Sequence, residues 1–244
     1  MDVIYLMGGR GKRANLGYPK QFARIKGKPL FIYGLEVIDK IKEIENIIIP
    51  SCINEEGIFI NIKDSINNYN ISKNIIFAKA GETRQESVYN GLTYKGKNLD
   101  NDFGKNYISK PSIKSEYVLI MEAVRPFITK EFIEKIISID GNVIPYTKLN
   151  STPFNKINGD LLNRNNVVMV QTPQKYITEK LFKSHNVAIS QGIKNSTDDL
   201  DLMKKIGLYW NYKYIEGPYE NIKITYPLDL QVAEAICNWR IENK

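Results

Sequence analysis

This chain of 244 residues is short of the side chains from which metal centres and disulfide scaffolds are built. It holds one histidine, His185, which excludes a multi-histidine metal site. It holds two cysteines, Cys52 and Cys237, without CxxC spacing, which argues against a disulfide framework and against cysteine-ligated zinc. No stretch approaches the about 20 apolar residues of a membrane span. Val3-Ile4-Tyr5-Leu6 is too short for the core of a signal peptide and runs straight into glycines, so a cytoplasmic protein with no membrane partner is expected. Long basic runs are also missing. The formal net charge is +7, but Lys and Arg are spread along the whole chain, which favours an anionic small substrate over nucleic acid. His185 follows Leu181-Phe182-Lys183-Ser184 and reads as a helix-face histidine rather than a ligand.

What is present alternates between two periods. Short apolar runs at Val3–Met7, Asn46–Pro50, Asn74–Ala78 and Tyr117–Met121 read as buried strands. Between and after them, helical spacing is predicted over Phe31–Ile41, Gly57–Tyr69, Arg84–Tyr94 and a helix beginning at Thr129. Strands alternating with helices predict an α/β fold: a single Rossmann-like domain over 1–244 with a mostly parallel sheet covered on both faces. The Lys-, Asn- and Ser-rich stretch Asn98–Ser115 reads as a surface loop. Val143–Tyr146 is a further strand. Asn150–Val170 lacks a helical period, and its turn residues predict a protruding β-arm at about 148–170. Beyond it, helices are expected at Thr178–Gln191, Leu200–Lys205 and Pro227–Trp239, and a strand at Ile222–Thr225.

The first strand ends in Met7-Gly8-Gly9-Arg10-Gly11-Lys12-Arg13. Glycines there let backbone N–H groups approach phosphate oxygens, and Arg10, Lys12 and Arg13 add charge-assisted bonds. The loop matches neither the P-loop pattern nor the full dinucleotide fingerprint, and a glycine turn serving only strand-to-helix packing is the alternative. Lys20 follows in Pro19-Lys20-Gln21. Alone it reads as a solvated surface lysine; in this setting it reads as a phosphate-binding cation.

The run Gly9-x-Gly11-x-Arg13, Pro19-Lys20-Gln21, Gly27-Lys28-Pro29 resembles the cytidylyltransferases that act on methylerythritol phosphate and ribitol phosphate. The resemblance continues in order through the stretch from Gly81-Glu82-Thr83-Arg84-Gln85-Glu86-Ser87 to Leu92, then Arg125-Pro126-Phe127, Gln171-Thr172-Pro173-Gln174, Thr197-Asp198-Asp199 and Asn221-Ile222-Lys223-Ile224-Thr225. It implies transfer of CMP from CTP to a small polyol phosphate, with release of pyrophosphate. It also implies Arg13, Lys20 and Lys223 as catalytic cations, and Mg²⁺ on the phosphates. Met7, Gly8, Gly9 and Gly11 would cradle the triphosphate, and Gly81, Glu82 and Ser87 would read the base. For Ser87 the alternative is an ordinary helix cap. Arg125, Thr225 and Glu122 would face the acceptor phosphate monoester, with Glu122 also toward the metal. Arg164 would reach a neighbouring subunit's site from the arm of a homodimer.

Two departures from the family pattern lie on the acceptor side. Met121-Glu122 stands where the family has His-Asp, which lengthens the carboxylate arm by a methylene, and the Asp-Thr pair at the start of the arm is replaced by Ser151-Thr152-Pro153-Phe154. A site built to bind hydroxyl groups discriminates strongly when such partners change. The expectation is therefore a ribitol phosphate type of acceptor for surface polymers. A 2-C-methyl-D-erythritol 4-phosphate enzyme of isoprenoid synthesis and a non-catalytic nucleotide-binding relative are the alternatives.

Overall fold

The computed structural model describes residues 1–9, 17–51, 56–94, 110–208 and 211–242. The chain opens with β1 (Asp2–Leu6), a 3-10 turn (Lys20–Phe22), the two-stranded hairpin β2 (Arg24–Ile25) and β3 (Lys28–Pro29), and α1 (Leu30–Asp39). Then come β4 (Asn46–Ser51), α2 (Glu56–Asn68), β5 (Asn74–Lys79), α3 (Arg84–Leu92), β6 (Tyr117–Glu122), α4 (Lys130–Ser138) and β7 (Asn142–Lys148). A 3-10 turn (Arg164–Asn166) leads to β8 (Val168–Val170), β9 (Gln174–Ile177), α5 (Thr178–Ser190), α6 (Asp199–Lys205), β10 (Tyr212–Glu216) and α7 (Pro227–Glu242).

Alternation within the strands decides the layering. Val3, Tyr5, Ile47, Ile49, Leu119 and Met121 point to one face, where they pack with Phe31 and Leu35 of α1, Ile62 of α2 and Ile133 of α4. Their neighbours Ile4, Ile48, Val118 and Ile120 point to the other, against Val88 and Leu92 of α3, Leu181 and Phe182 of α5 and Leu202 of α6. Both faces are apolar because both are covered, as a parallel sheet requires. The strand order is β10-β7-β9-β6-β1-β4-β5, with β8 paired to β7 to make eight strands. β1, β4, β5 and β6 run parallel, as do β7 and β10, while β8 and β9 are antiparallel to their neighbours. The α/β domain with a mostly parallel sheet is as the alternating pattern predicts.

Thr129 and Thr83, just ahead of α4 and α3, cap those helices through their side chains. In the region where an arm is expected, between β7 and β8, Phe154 and Leu161 bridge antiparallel and Ile157 and Leu161 lie exposed, as does Met169 of β8. No helix among the described residues is long and apolar enough to cross a membrane.

Some elements differ from expectation, among them the β2–β3 hairpin. Ile222–Thr225 forms no strand; Ile224 N donates 2.9 Å to Val124 O, outside any ladder, and Pro218 and Pro227 bracket the segment. β9 and β10 were not expected. In β9 the polar Lys175 disguises a central strand: the residue is 1% exposed, and its ammonium donates to the Ile137 carbonyl at 3.0 Å and to the Ile139 carbonyl. Lys175 thereby satisfies carbonyls at the C-terminal end of α4 and sits 4.5 Å over the Tyr117 ring. Residues 98–109 of the expected loop lie outside the described residues.

Candidate active site

From β1 the chain crosses to β4 and β5 on one side and then returns to β6 on the other, so the sheet reverses its order between β1 and β6. In open α/β sheets, ligands bind at such a reversal, beyond the carboxyl ends of the strands. Met7 is buried there, and Gly8 follows it. A Cβ on Gly8 would lie 2.5 Å from the Ala80 Cβ, so glycine is what allows the loop to approach the end of β5. Gly9 is exposed and has open space around it. Gly11 and Arg13, with Arg10 and Lys12, lie outside the described residues.

Lys20 is joined to this loop by its neighbour. Gln21 Nε2 donates 2.7 Å to the Met7 carbonyl, pinning the 3-10 turn beside the glycines. Lys20 is only 8% exposed, which removes the solvated surface reading. Gln21 was not among the expected site residues, although it stands next to Lys20 in the same tripeptide.

The Gly81–Ser87 segment closes the side next to β5. Thr83 is the cap of α3 and accepts from Glu86 N at 3.1 Å. Ser87 has another job: its hydroxyl accepts from Gly81 N and donates to the Thr83 carbonyl, both at 3.0 Å. Glu86 in turn accepts from Glu82 N at 2.8 Å. The turn is thus wound from within, leaving Gly81 half-buried and Glu82 exposed. Behind it stands a cluster to which the sequence assigned no role. Arg84 Nη1 lies 2.7 Å from Asp199, and His185 Nε2, fully buried on α5, lies 3.2 Å from the other Asp199 oxygen. Burial alone would raise the Asp199 pKa; Arg84, then His185, pull it down to about 2.

On the β6 side, Leu6 pairs with Glu122, which places that carboxylate at the end of the strand next to the glycine loop. Arg125 Nε meets Glu122 Oε2 at 3.0 Å, and Lys223 Nζ meets Glu122 Oε1. Burial would raise the Glu122 pKa, but Lys223 first, then Arg125 and Arg84, hold it down at about 2. Thr225 Oγ1 donates to the Lys223 carbonyl at 3.2 Å, while Asp229 accepts from Thr225 N and Tyr226 N ahead of α7. Arg164 is exposed on the arm, at the start of the 3-10 turn.

The crevice therefore joins a glycine loop, a buried lysine and a lysine–carboxylate–arginine ladder. Among the described residues no three His, Cys, Asp or Glu side chains form a metal-holding group. Glu122 alone still fits Mg²⁺ of the kind carried in on phosphates: it is ionised, and each oxygen has a second lone pair beyond its cation.

A glycine loop and fixed cations gathered at the sheet reversal are the equipment of a nucleotidyltransferase. Comparison with known proteins narrows this. The family model IspD, 2-C-methyl-D-erythritol 4-phosphate cytidylyltransferase, matches residues 1–238. The enzyme of that description from Geobacillus thermodenitrificans is 32% identical over 248 residues, covering 98% of each chain. Its counterpart from Fusobacterium nucleatum is 34% identical, over 95% of this chain and 94% of its own. Among solved structures, the 4-diphosphocytidyl-2C-methyl-D-erythritol synthase from Anaerococcus prevotii superposes with a TM-score of 0.75 at 25% identity, covering 97% of this chain and 95% of its own. The 2-C-methyl-D-erythritol 4-phosphate cytidylyltransferase from Francisella tularensis gives 0.70 at 26% identity, covering 98% of each chain. The chain belongs to the 2-C-methyl-D-erythritol 4-phosphate cytidylyltransferase family and is a nucleotidyltransferase. These matches favour the isoprenoid alternative over the ribitol phosphate acceptor. The ribitol expectation rested on a few positions around Glu122 and the arm, against a match along almost the whole chain.

Proposed function

We propose that this enzyme transfers CMP from CTP to 2-C-methyl-D-erythritol 4-phosphate, releasing pyrophosphate and forming the CDP-alcohol. The observation that carries this reading is the Glu122 carboxylate holding Lys223 and Arg125 beside the glycine loop and Lys20. An oxygen of the acceptor phosphate attacks the α-phosphorus of CTP. The bond from that phosphorus to the bridging oxygen breaks, and pyrophosphate leaves with the electron pair. The attacking group is already anionic at neutral pH, so the work is charge neutralisation and in-line positioning rather than proton removal. Lys20 and Lys223 stabilise charge on the α-phosphate, Met7, Gly8 and Gly9 present backbone to the triphosphate, and the family resemblance adds Arg13 as a further catalytic cation and Gly11 as a further phosphate-binding residue. Gly81, Glu82 and Ser87 form the turn that reads cytosine. Arg125 and Thr225 face the acceptor. Mg²⁺, held by the nucleotide's phosphates with Glu122 as protein donor, would supply further charge neutralisation.

The apolar arm residues Ile157 (91% exposed) and Leu161 (74% exposed) support a homodimer in which Arg164 completes the partner's site. The deciding assay measures pyrophosphate release with CTP and Mg²⁺ for two acceptors, 2-C-methyl-D-erythritol 4-phosphate and ribitol 5-phosphate. Preference for the first is expected. Preference for ribitol 5-phosphate refutes the acceptor assignment, and CTP binding without turnover on either refutes catalysis.

A further inference from the structure

Lys223 and Arg125 stand on two irregular segments, 218–226 and 123–129, joined by the Glu122 carboxylate and by one backbone bond, Ile224 N to the Val124 carbonyl at 2.9 Å, with no strand ladder to extend that single link. One bond leaves the 218–223 end of the segment to be held by other groups, because a displacement of about 1 Å at such cations costs up to about 100-fold in rate. The sequence motifs Gln171-Thr172-Pro173-Gln174 and Asn221-Ile222-Lys223 meet at that point. Asn221 is 0% and Gln171 5% exposed. Asn221 Nδ2 donates to the Thr172 carbonyl at 2.9 Å and to Gln171 Oε1 at 3.2 Å. Gln171 Nε2 donates back to the Pro218 carbonyl at 3.2 Å and, at 3.5 Å, to the Asn221 carbonyl. That carbonyl also accepts from Arg125 Nη1 at 2.7 Å. The Gln171 backbone is itself anchored to the sheet, its N–H donating 2.8 Å to the Pro145 carbonyl of β7.

We propose that Gln171 and Asn221 are positioning residues: two interlocked buried amides that fix the 218–223 segment to β7 and set Arg125 and Lys223 at their working separation around Glu122. Neither amide touches the reacting groups; each acts through a cation. Gly217 belongs to the same device. A Cβ there would overlap Gln171 Oε1, so glycine at 217 is what leaves room for the amide. The backbone at Gly217 is not left-handed, so alanine is conformationally acceptable and its effect falls on Gln171. Deep burial of an amide is costly unless it is bonded. Both ends of Gln171 and the Asn221 Nδ2 are paired, while Asn221 Oδ1 is buried without a partner among the described residues, so the pair holds its place through three of its four polar ends.

This inference rests on the proposed roles of Lys223 and Arg125, and the experiment separates the two. Gln171→Met, Asn221→Ala, Gly217→Ala, Lys223→Ala and a control in the distant core, Ile38→Val, are compared. For each, kcat and KM for CTP are measured with 2-C-methyl-D-erythritol 4-phosphate and Mg²⁺, alongside the melting temperature. Expected is a fall in kcat of about 10- to 100-fold for the three latch variants. Their KM for CTP should stay within about threefold, since the glycine loop and the Gly81 turn are built from other elements. Ile38→Val should lose stability but keep kcat within about twofold. The Gln171→Met chain is of similar length and carries the test if Asn221→Ala does not fold. Latch variants with wild-type kcat beside a crippled Lys223→Ala overturn the latch and leave the proposed function standing. Wild-type turnover in Lys223→Ala overturns the proposed site and the latch together.

Discussion

Replacing Glu122 by glutamine removes one negative charge from between two cations while nearly preserving shape. The carboxylate has 11% side-chain exposure and is held at a pKa of about 2 against an ordinary 4.5. Each unit of depression is worth about 1.4 kcal/mol, so the ion pairs contribute about 3 kcal/mol at neutral pH beyond the cost of burying the charge. Part of the Lys223 contribution is screened, since that side chain is 38% exposed. A loss of about 2–3 kcal/mol is therefore expected, a drop in melting temperature of about 4–12 °C for a domain of this size. The sign with pH is fixed by the direction of the shift. A depressed carboxylate contributes fully above its unfolded pKa, and its contribution fades as pH falls through the folded value. The gap between wild type and Glu122→Gln should thus be constant from pH 7 to about 5 and close between about pH 4.5 and 2. Urea melts at stepped pH values measure it. A gap that is absent at pH 7, or that persists unchanged to pH 2, refutes the ladder as the source of the depressed pKa.

Lys20→Ala should lower turnover by about 10²–10³ while shifting stability far less, read from steady-state rates beside thermal melts; wild-type turnover removes Lys20 from the site. Asp199→Ala leaves Arg84 buried without its closest partner and should cost about 3–5 kcal/mol, read by chemical denaturation; a loss under about 1 kcal/mol contradicts the cluster behind the Gly81 turn. Inactive Arg164→Ala and Lys20→Ala subunits, mixed and re-equilibrated, should regain activity if the arm completes its neighbour's site. Persistent inactivity in a mixture proven to exchange subunits argues for sites built within one chain.

The parts legible in the sequence were those with a short-range signature. Ile47-Ile48-Ile49 announces a strand covered on both faces, and the glycines after β1 announce a loop that must approach something closely; the something proved to be Ala80. Lys20 was legible through its tripeptide. Less legible was anything decided by a distant partner. Lys175 reads as a surface residue until the two carbonyls at the end of α4 are placed over it. His185 reads as an ordinary helix residue until Asp199 arrives from α6. Ser87 presents the form of a cap, but Thr83 takes that position and leaves the serine hydroxyl to wind the turn. Ile222–Thr225 has β-branched residues in quantity, yet its backbone answers to Val124 and to Asp229 instead of a neighbouring strand.

Lys175 also makes the molecule its own reporter of opening. Burial lowers its pKa, and the residue is 1% exposed and bound to carbonyls. An amine-reactive reagent should therefore acylate the surface lysines first and reach Lys175 only when the strand parts from α4. Its labelling rate, followed by peptide mass, would time the separation of those two elements within the native state, with no probe introduced.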